Sequence, residues 1–169
     1  KLNHNYKNLS FKFNNLDIKV SSYRKDISNY GRQAKVELAK TIEVDSTRRD
    51  LTINAVYINL LGEVTDLYSG EQDLLKSKLK FIGNSVQQIQ EDYLRAIRYI
   101  RFISLFDKPV LLQHDIDAIK MLSKNIIDFV KPDKIKQEML KIKKMKFSNN
   151  SLKFINQHKE LIFLKDFLN

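Results

Sequence analysis

The chain has 169 residues and 19.9 kDa, with 30 Lys and Arg against 20 Asp and Glu, a net charge of +10. A composition of 43% hydrophobic and 30% charged residues supplies apolar material for a core without a disulfide or metal staple. The absence of cysteine excludes disulfide scaffolds, Cys-ligated zinc and thiol catalysis, and no apolar run approaches the ~20 residues of a membrane span.

The length suits one domain or two small subdomains. The chain opens at Lys1, without Met and without a signal-peptide pattern, and is expected to be part of something longer. Phe11-Lys12-Phe13 and Leu16 to Val20 alternate apolar and polar residues around Asn14-Asn15, which predicts an antiparallel hairpin with a left-handed turn. Residues 25–35 are polar and read as a loop. Asp45-Ser46-Thr47 offers N-cap chemistry for a helix starting near Arg48. Ile53 to Leu61 and Val64 to Leu67 predict a second hairpin, ended by Tyr68-Ser69-Gly70. Asp73 starts a short helix, and Leu79 to Ile82 reads as a last strand. From Ser85 onward the period is helical, with Tyr93, Leu94, Ile97, Ile100 and Phe102-Ile103 recurring at three and four residues. A helix is expected over 114–129 with Asp115 and Asp117 in its first turn, and another from Pro132, where a missing N–H costs nothing. Ser148-Asn149-Asn150 is expected to break the chain before a last helix over 151–168. The fold class is therefore α+β, with a β-rich part over 1–83 and a helical part over 84–169.

Charge is uneven, because residues 131–169 hold ten Lys against four Asp and Glu, a net 10 − 4 = +6. Such an excess favours a polyanionic partner through counterion release, against the plainer reading of a solvated lysine-rich surface. His4, His114 and His158 have no partner spacing and read as ordinary surface or core residues. With four Gly there is no glycine-rich phosphate loop. Met139 and Met145 fall in an apolar helical pattern and are expected in the core.

Two constellations carry chemistry. In Glu91-Asp92-Tyr93-Leu94-Arg95-Ala96-Ile97-Arg98, with Arg101 beyond, the arginines form one helical stripe. Its plain reading is a solvated face with i,i+3 and i,i+4 ion pairs. Its sharper reading follows from donor and acceptor geometry. A carboxylate beside a guanidinium matches a base edge with an amino group next to an unprotonated ring nitrogen, the pattern of cytosine and adenine. Uracil and guanine would set donor against donor, a discrimination of about 1–3 kcal/mol for one bidentate pair. Arg98 could then meet a triphosphate. In Arg48-Arg49-Asp50-Leu51-Thr52-Ile53-Asn54-Ala55, the guanidinium forks suit phosphate oxygens and Asp50 can accept from a ribose 2′-OH. The plain alternative is a helix start with a charge pair.

In order and spacing these segments resemble the class II tRNA nucleotidyltransferases (CCA-adding enzymes) and the related bacterial poly(A) polymerases. Arg48 to Ala55 is similar to the family's RRDxTxNA motif, Asp66 to Leu74 to its flexible turn, and Glu91-Asp92-x-x-Arg95-x-x-Arg98 to its nucleotide-reading motif. Lys131 to Lys141 resembles its later neck element, and Ser21 to Asp26 followed by Gly31-Arg32 resembles the strand and loop before RRD. The resemblance runs from about residue 16 to about 145. It implies the C-terminal part of a polymerase-β-like nucleotidyltransferase head followed by an all-helical neck and RNA-binding region. It implies template-independent addition of CMP and AMP, from CTP and ATP, to a tRNA or other RNA 3′ end. Asp50 would bind ribose, Arg48 and Arg49 would line the triphosphate site with Asn54 beside them, Asp92 and Arg95 would read the base, and Arg98 would hold phosphates.

The departures carry equal information. The family's DxD carboxylates, which hold two Mg²⁺, belong to a part upstream of everything here, and Asp115-Ile116-Asp117 lies in the helical half. Lys19 stands for a Glu, Gln88 for an Arg, and Tyr68-Ser69 for Pro-Gly. The resemblance therefore implies no catalytic residue in this chain and a cytoplasmic protein, without membrane, active only with a separate N-terminal catalytic portion. Poly(A) addition by the same chemistry, a non-catalytic RNA-binding remnant, and a helical protein-interaction module are the other readings.

Overall fold

The computed structural model describes residues 2–3, 8–28 and 35–168, and the chain divides into two compact units, Lys1–Arg48 and Arg49–Asn169. The fold is α+β, as the pattern predicts. The change from strand to helix near 83 falls inside the second unit.

In the first unit, β1 (Leu2–Asn3), β2 (Asn8–Phe13) and β3 (Leu16–Ser21) form an antiparallel sheet. Asn14 and Asn15 both take positive φ, 45° and 65°, the paired left-handed turn whose twist matches the strands. The register pairs Leu9 with Val20, Phe11 with Ile18 and Phe13 with Leu16. Alternation therefore places six apolar side chains on one face, and five of them are exposed.

β4 (Arg24–Ser28) pairs antiparallel with β5 (Lys35–Leu38). The expected loop over 25–35 thus has strands at its ends. Residues 29–34, with Gly31 and Arg32, lie outside the described residues, as does His4. α1 (Ile42–Ser46) ends where a helix was expected to start. Ser46 Oγ and Thr47 Oγ1 donate to the carbonyls of Glu43 and Val44, at 2.7 and 2.9 Å, and so close a helix instead of capping the next one.

The second unit begins with the buried Leu51 and a 3₁₀ turn at Thr52–Asn54. β6 (Val56–Ile58) and β7 (Val64–Asp66) then form the second expected hairpin. α2 (Gly70–Leu75) starts three residues earlier than Asp73, because the Asp66 carboxylate accepts amides from Gly70 and Glu71 and so organises the first turn. Of the strand expected over 79–82, β8 (Lys78–Leu79) pairs in parallel with β9 (Val110–Leu111), and Phe81 bridges to Leu51.

The helical part follows as α3 (Ser85–Glu91), α4 (Leu94–Ile103), α5 (Gln113–Met121), α6 (Ser123–Phe129), α7 (Pro132–Lys143) and α8 (Ser148–Gln157), ending in a 3₁₀ helix at Lys159–Leu168. Pro132 occupies the first turn of α7 as predicted. Three expectations are corrected. The helix across 85–103 breaks at Asp92, and that across 114–129 breaks at Leu122. Residues 148–150 are not a break but the first turn of α8. Asn150 Nδ2 donates to the carbonyls of Phe106 and Asp107, both at 2.8 Å, and Ser151 Oγ to that of Ile100 at 2.6 Å. These side chains serve tertiary packing against the end of α4 and leave the helix intact. α4 is central: Ile97, Ile100 and Ile103 are buried, and Tyr99 stacks on Phe81 with centroids 5.0 Å apart. Met139 is buried and Met145 only half-buried.

Candidate nucleotide and RNA site

Arg48 closes the first unit. Its guanidinium meets the buried Asp45 carboxylate at 2.5 Å from Nη2, and its Nε also donates to the Arg24 carbonyl at 3.1 Å. Asp45 in turn accepts the Arg24 amide at 3.0 Å. Asp45, whose sequence context suggests a helix cap, is instead the anchor of Arg48.

In the second unit Arg49 lies over the Tyr57 ring, 5.7 Å from its centroid. Asp50 is 5% exposed and fully engaged in three directions. Oδ1 accepts from the Leu51 amide at 3.0 Å and from Asn54 Nδ2 at 2.8 Å, and Oδ2 accepts from Arg98 Nε at 2.5 Å. Burial alone would raise its pKa, but the hydrogen bond and charge of Arg98, with Asn54 and the Leu51 amide, hold the carboxyl below the usual range. The same pairing raises the pKa of Arg98 against its own burial. Backbone bonds fix Asp50 further, because the Ile82 amide donates to its carbonyl at 3.0 Å.

Thr52 connects this segment to α2. Its Oγ1 donates to Asp73 Oδ2 at 2.8 Å, both residues being buried, and Lys78 Nζ lies 3.5 Å from the other carboxylate oxygen. Gly70 packs so tightly on Thr52 that a Cβ there would stand 2.2 Å from the Thr52 carbonyl oxygen. Ser69 takes φ 60°, a left-handed conformation that Gly adopts more readily. Two motifs separate in sequence are thus one packed piece.

The third motif straddles the helix break. Asp92 is exposed and extended, with φ −153° and ψ 103°. Its Oδ1 accepts the Leu94 amide at 3.0 Å, and its carbonyl accepts the Arg95 amide at 2.9 Å, so it starts α4. Arg95 is buried. Its Nη1 donates to Glu91 Oε2 at 2.9 Å, to the Gln88 carbonyl at 3.2 Å and to Gln88 Oε1. The plain reading of a solvated arginine stripe therefore fails: Arg95 is 7% exposed, and Arg101 is held by Glu138 at 2.5 Å, with Lys141 on the other oxygen of that carboxylate. The second unit gathers Arg49, Asp50, Asn54 and Arg98 by contact or sequence adjacency, and sets Asp92 and Arg95 one turn apart at the start of α4. Glu138 and Gln88 are additions that only the fold supplies.

Among the described residues no group of three or more His, Cys, Asp or Glu could hold a metal ion. Asp115 is buried and takes the Ser85 hydroxyl, and Asp117 accepts from Gln113 Nε2 at 3.0 Å, so this pair does not converge on one point. His114 is exposed beside Asp115, and His158 Nδ1 lies 2.7 Å from the Phe154 carbonyl oxygen. All ten lysines of 131–169 are exposed. No helix among the described residues is long and apolar enough to cross a membrane.

Residues 1–80 match the family model of the poly A polymerase head domain. The chain is 37% identical to the human mitochondrial CCA tRNA nucleotidyltransferase 1 over 110 residues, 64% of this chain and 25% of that protein. It is 34% identical to the CCA-adding enzyme of Ligilactobacillus salivarius over 116 residues, 68% of this chain and 28% of that one. Among solved structures it is similar to a CCA-adding enzyme in apo form II, with a TM-score of 0.81 at 22% identity over 97% of this chain and 39% of that chain. It is also similar to the Thermotoga maritima CCA-adding enzyme complexed with tRNA_CCA, with a TM-score of 0.74 at 21% identity over 97% of this chain and 37% of that chain. The chain spans about a quarter of the length of the curated relatives it matches.

Proposed function

We propose that this chain, which belongs to the class II tRNA nucleotidyltransferase and poly(A) polymerase family, supplies nucleotide recognition and RNA binding for template-independent addition of CMP and AMP to tRNA 3′ ends. CTP and ATP are the substrates, and a cytoplasmic location is part of the reading. Residues 1–83 act as part of the nucleotidyltransferase head and residues 84–169 as the neck and RNA-binding region. The observation that carries the proposal is the break at Asp92. It exposes one carboxylate at the start of a helix, one turn before an arginine whose fork is anchored. An acceptor set one helical turn before a donor fork suits the amino-plus-ring-nitrogen edge of C and A.

Asp50, oriented by Asn54 and Arg98, is the ribose acceptor, and Arg49 and Arg98 serve the phosphates. Nucleotidyl transfer in this family is assigned to two Mg²⁺, which stabilise charge on the attacking and leaving oxygens. The carboxylates present here do not fit such a pair, because Asp50, Asp73 and Asp115 are each spent on internal donors. The metal-holding carboxylates, and with them catalysis, therefore belong to a separate N-terminal portion.

The test is equilibrium binding of the four ribonucleoside triphosphates to the chain. CTP and ATP are expected to bind about five- to 150-fold tighter than UTP and GTP, from the ~1–3 kcal/mol discrimination of one bidentate pair. Equal binding of all four, or none, would sink the base-reading role of Asp92 and Arg95. A second reading, a non-catalytic RNA-binding protein, is favoured by the ten exposed lysines. It predicts salt-dependent tRNA binding without nucleotide preference. Addition of A alone uses the same pair, and an incorporation assay with CTP separates it from CCA addition.

A further inference from the structure

We propose that Gln88 is a positioning residue that fixes the Arg95 guanidinium and thereby sets nucleotide preference; this rests on the base-reading role given to Arg95 above. Gln88 sits on α3, one turn before the break, in a helix capped by Asn84, whose Oδ1 accepts the Gln87 amide at 3.0 Å. It is 8% exposed, against 7% for Arg95, so the contact between them is little disturbed by water. Three acceptors converge on Arg95 Nη1, and two belong to Gln88: its backbone carbonyl at 3.2 Å and its side-chain Oε1. The third is Glu91 Oε2 at 2.9 Å, more open to solvent.

A guanidinium is planar, so holding Nη1 fixes the plane and the direction of its other N–H donors. A fork free to turn could donate to the carbonyl of uracil or guanine as well as to the ring nitrogen of cytosine or adenine. A fixed fork is selective. The Gln88 side chain adds a neutral acceptor beside the Glu91 carboxylate that pairs with Arg95. An arginine at 88, which the resemblance leads one to expect, would offer a like charge in place of this acceptor.

The test compares the unsubstituted chain with Gln88→Leu, which keeps bulk and loses the acceptor, and Gln88→Glu, which keeps an oxygen in place. Dissociation constants are read for CTP, ATP, UTP and GTP, with tripolyphosphate as a base-free control. We expect Gln88→Leu to bring the C/A over U/G preference from about five- to 150-fold, the range of one bidentate pair, to near unity. Tripolyphosphate binding should be unchanged, and Gln88→Glu should restore the preference. A folded Gln88→Leu that keeps its preference, or that weakens tripolyphosphate equally, would overturn the positioning role. Gln88→Ala is read in the same way if Gln88→Leu does not fold. An unsubstituted chain with no preference overturns the role of Arg95 itself, a result distinct from a preference that survives loss of the Gln88 oxygen.

Discussion

Arg98 Nε donates to Asp50 Oδ2 at 2.5 Å, so two residues 48 positions apart in sequence share one charge-assisted hydrogen bond. It ties the loop that bridges to Phe81 onto α4, and it fixes two groups of the proposed site with a single contact. Asp50 is buried, while the Arg98 side chain is about one-third open. The bond therefore acts in a poorly solvated place at one end and a wetter one at the other.

Asp50→Asn should leave Arg98 without its counter-charge. Loss of one partner of a fully buried pair costs ~3–5 kcal/mol, and the access of water to Arg98 reduces this to about 2 kcal/mol. Urea unfolding measures it. The pH dependence has a definite sign. The folded pKa of Asp50 lies below the ordinary carboxylate value, so its contribution is present above that value and is lost as pH falls through the folded pKa, below about pH 4. Asp50→Asn should flatten that part of the acid limb. An unchanged limb would mean that Arg98 gives Asp50 no net stability.

Gly70→Ala should destabilise the second unit by about 3 kcal/mol, the upper range for overpacking. The new Cβ would meet the Thr52 carbonyl oxygen at 2.2 Å and Val56 Cγ2 at 2.8 Å, and the first of these is backbone that cannot rotate away. Thr52→Val should cost less, about 1–3 kcal/mol, because it leaves the buried Asp73 oxygen without its hydroxyl donor. Thermal unfolding ranks the two. The reverse order would show that the Thr52–Asp73 bond, not the close packing, holds the two motifs together.

Much of this arrangement was legible in sequence, for reasons that differ by element. The Asn14-Asn15 turn and the β6–β7 hairpin follow from local pattern, and α7 from Pro132. The break at Asp92 was not legible, because Tyr93 and Leu94 continue the apolar period across it. Only the backbone shows that Asp92 turns out of the helix and caps the next one. Ser148 to Asn150 mislead in the opposite sense, since Asn150, a residue type that often breaks helices, here donates to the carbonyls of Phe106 and Asp107 just after α4. Candidate site residues could be named from motifs, but not their partners. Gln88 and Glu138 act through contacts 7 and 37 residues away along the chain.

Asp115 gives a second pH signature, opposite in sign to that of Asp50. Its burial pushes the carboxyl upward, against the Ser85 hydroxyl, the neighbouring His114, the Phe81 amide and Lys80. A raised acid binds its proton more tightly in the folded state. Stability should therefore fall as pH rises from the ordinary carboxylate value through the folded one, and level off above it. Asp115→Asn keeps polar atoms facing Ser85 and Phe81 and removes the charge. It should match or exceed the parent in stability at pH 7 and lose that decline. A variant clearly less stable at pH 7 would show that the ionised carboxylate is needed where it lies.

The lysines of 131–169 make the last prediction, which concerns RNA. All ten are exposed, while only Glu138 of the four acidic residues there is buried, where it pairs with both Arg101 and Lys141. The excess charge is thus available to phosphates. Each contact with a single strand should contribute about −0.7 to the slope of log K against log salt, and about −0.9 with a duplex. Lys143→Gln with Lys144→Gln, at the C-terminal end of α7, should weaken tRNA binding at low salt. The slope should become shallower by roughly 1.4 to 1.8 if both contact phosphate. CTP binding should be unchanged, because neither residue belongs to the nucleotide site. An unchanged slope would place RNA on another face of the chain, and a parallel loss of CTP affinity would show that these lysines support the fold or the nucleotide instead.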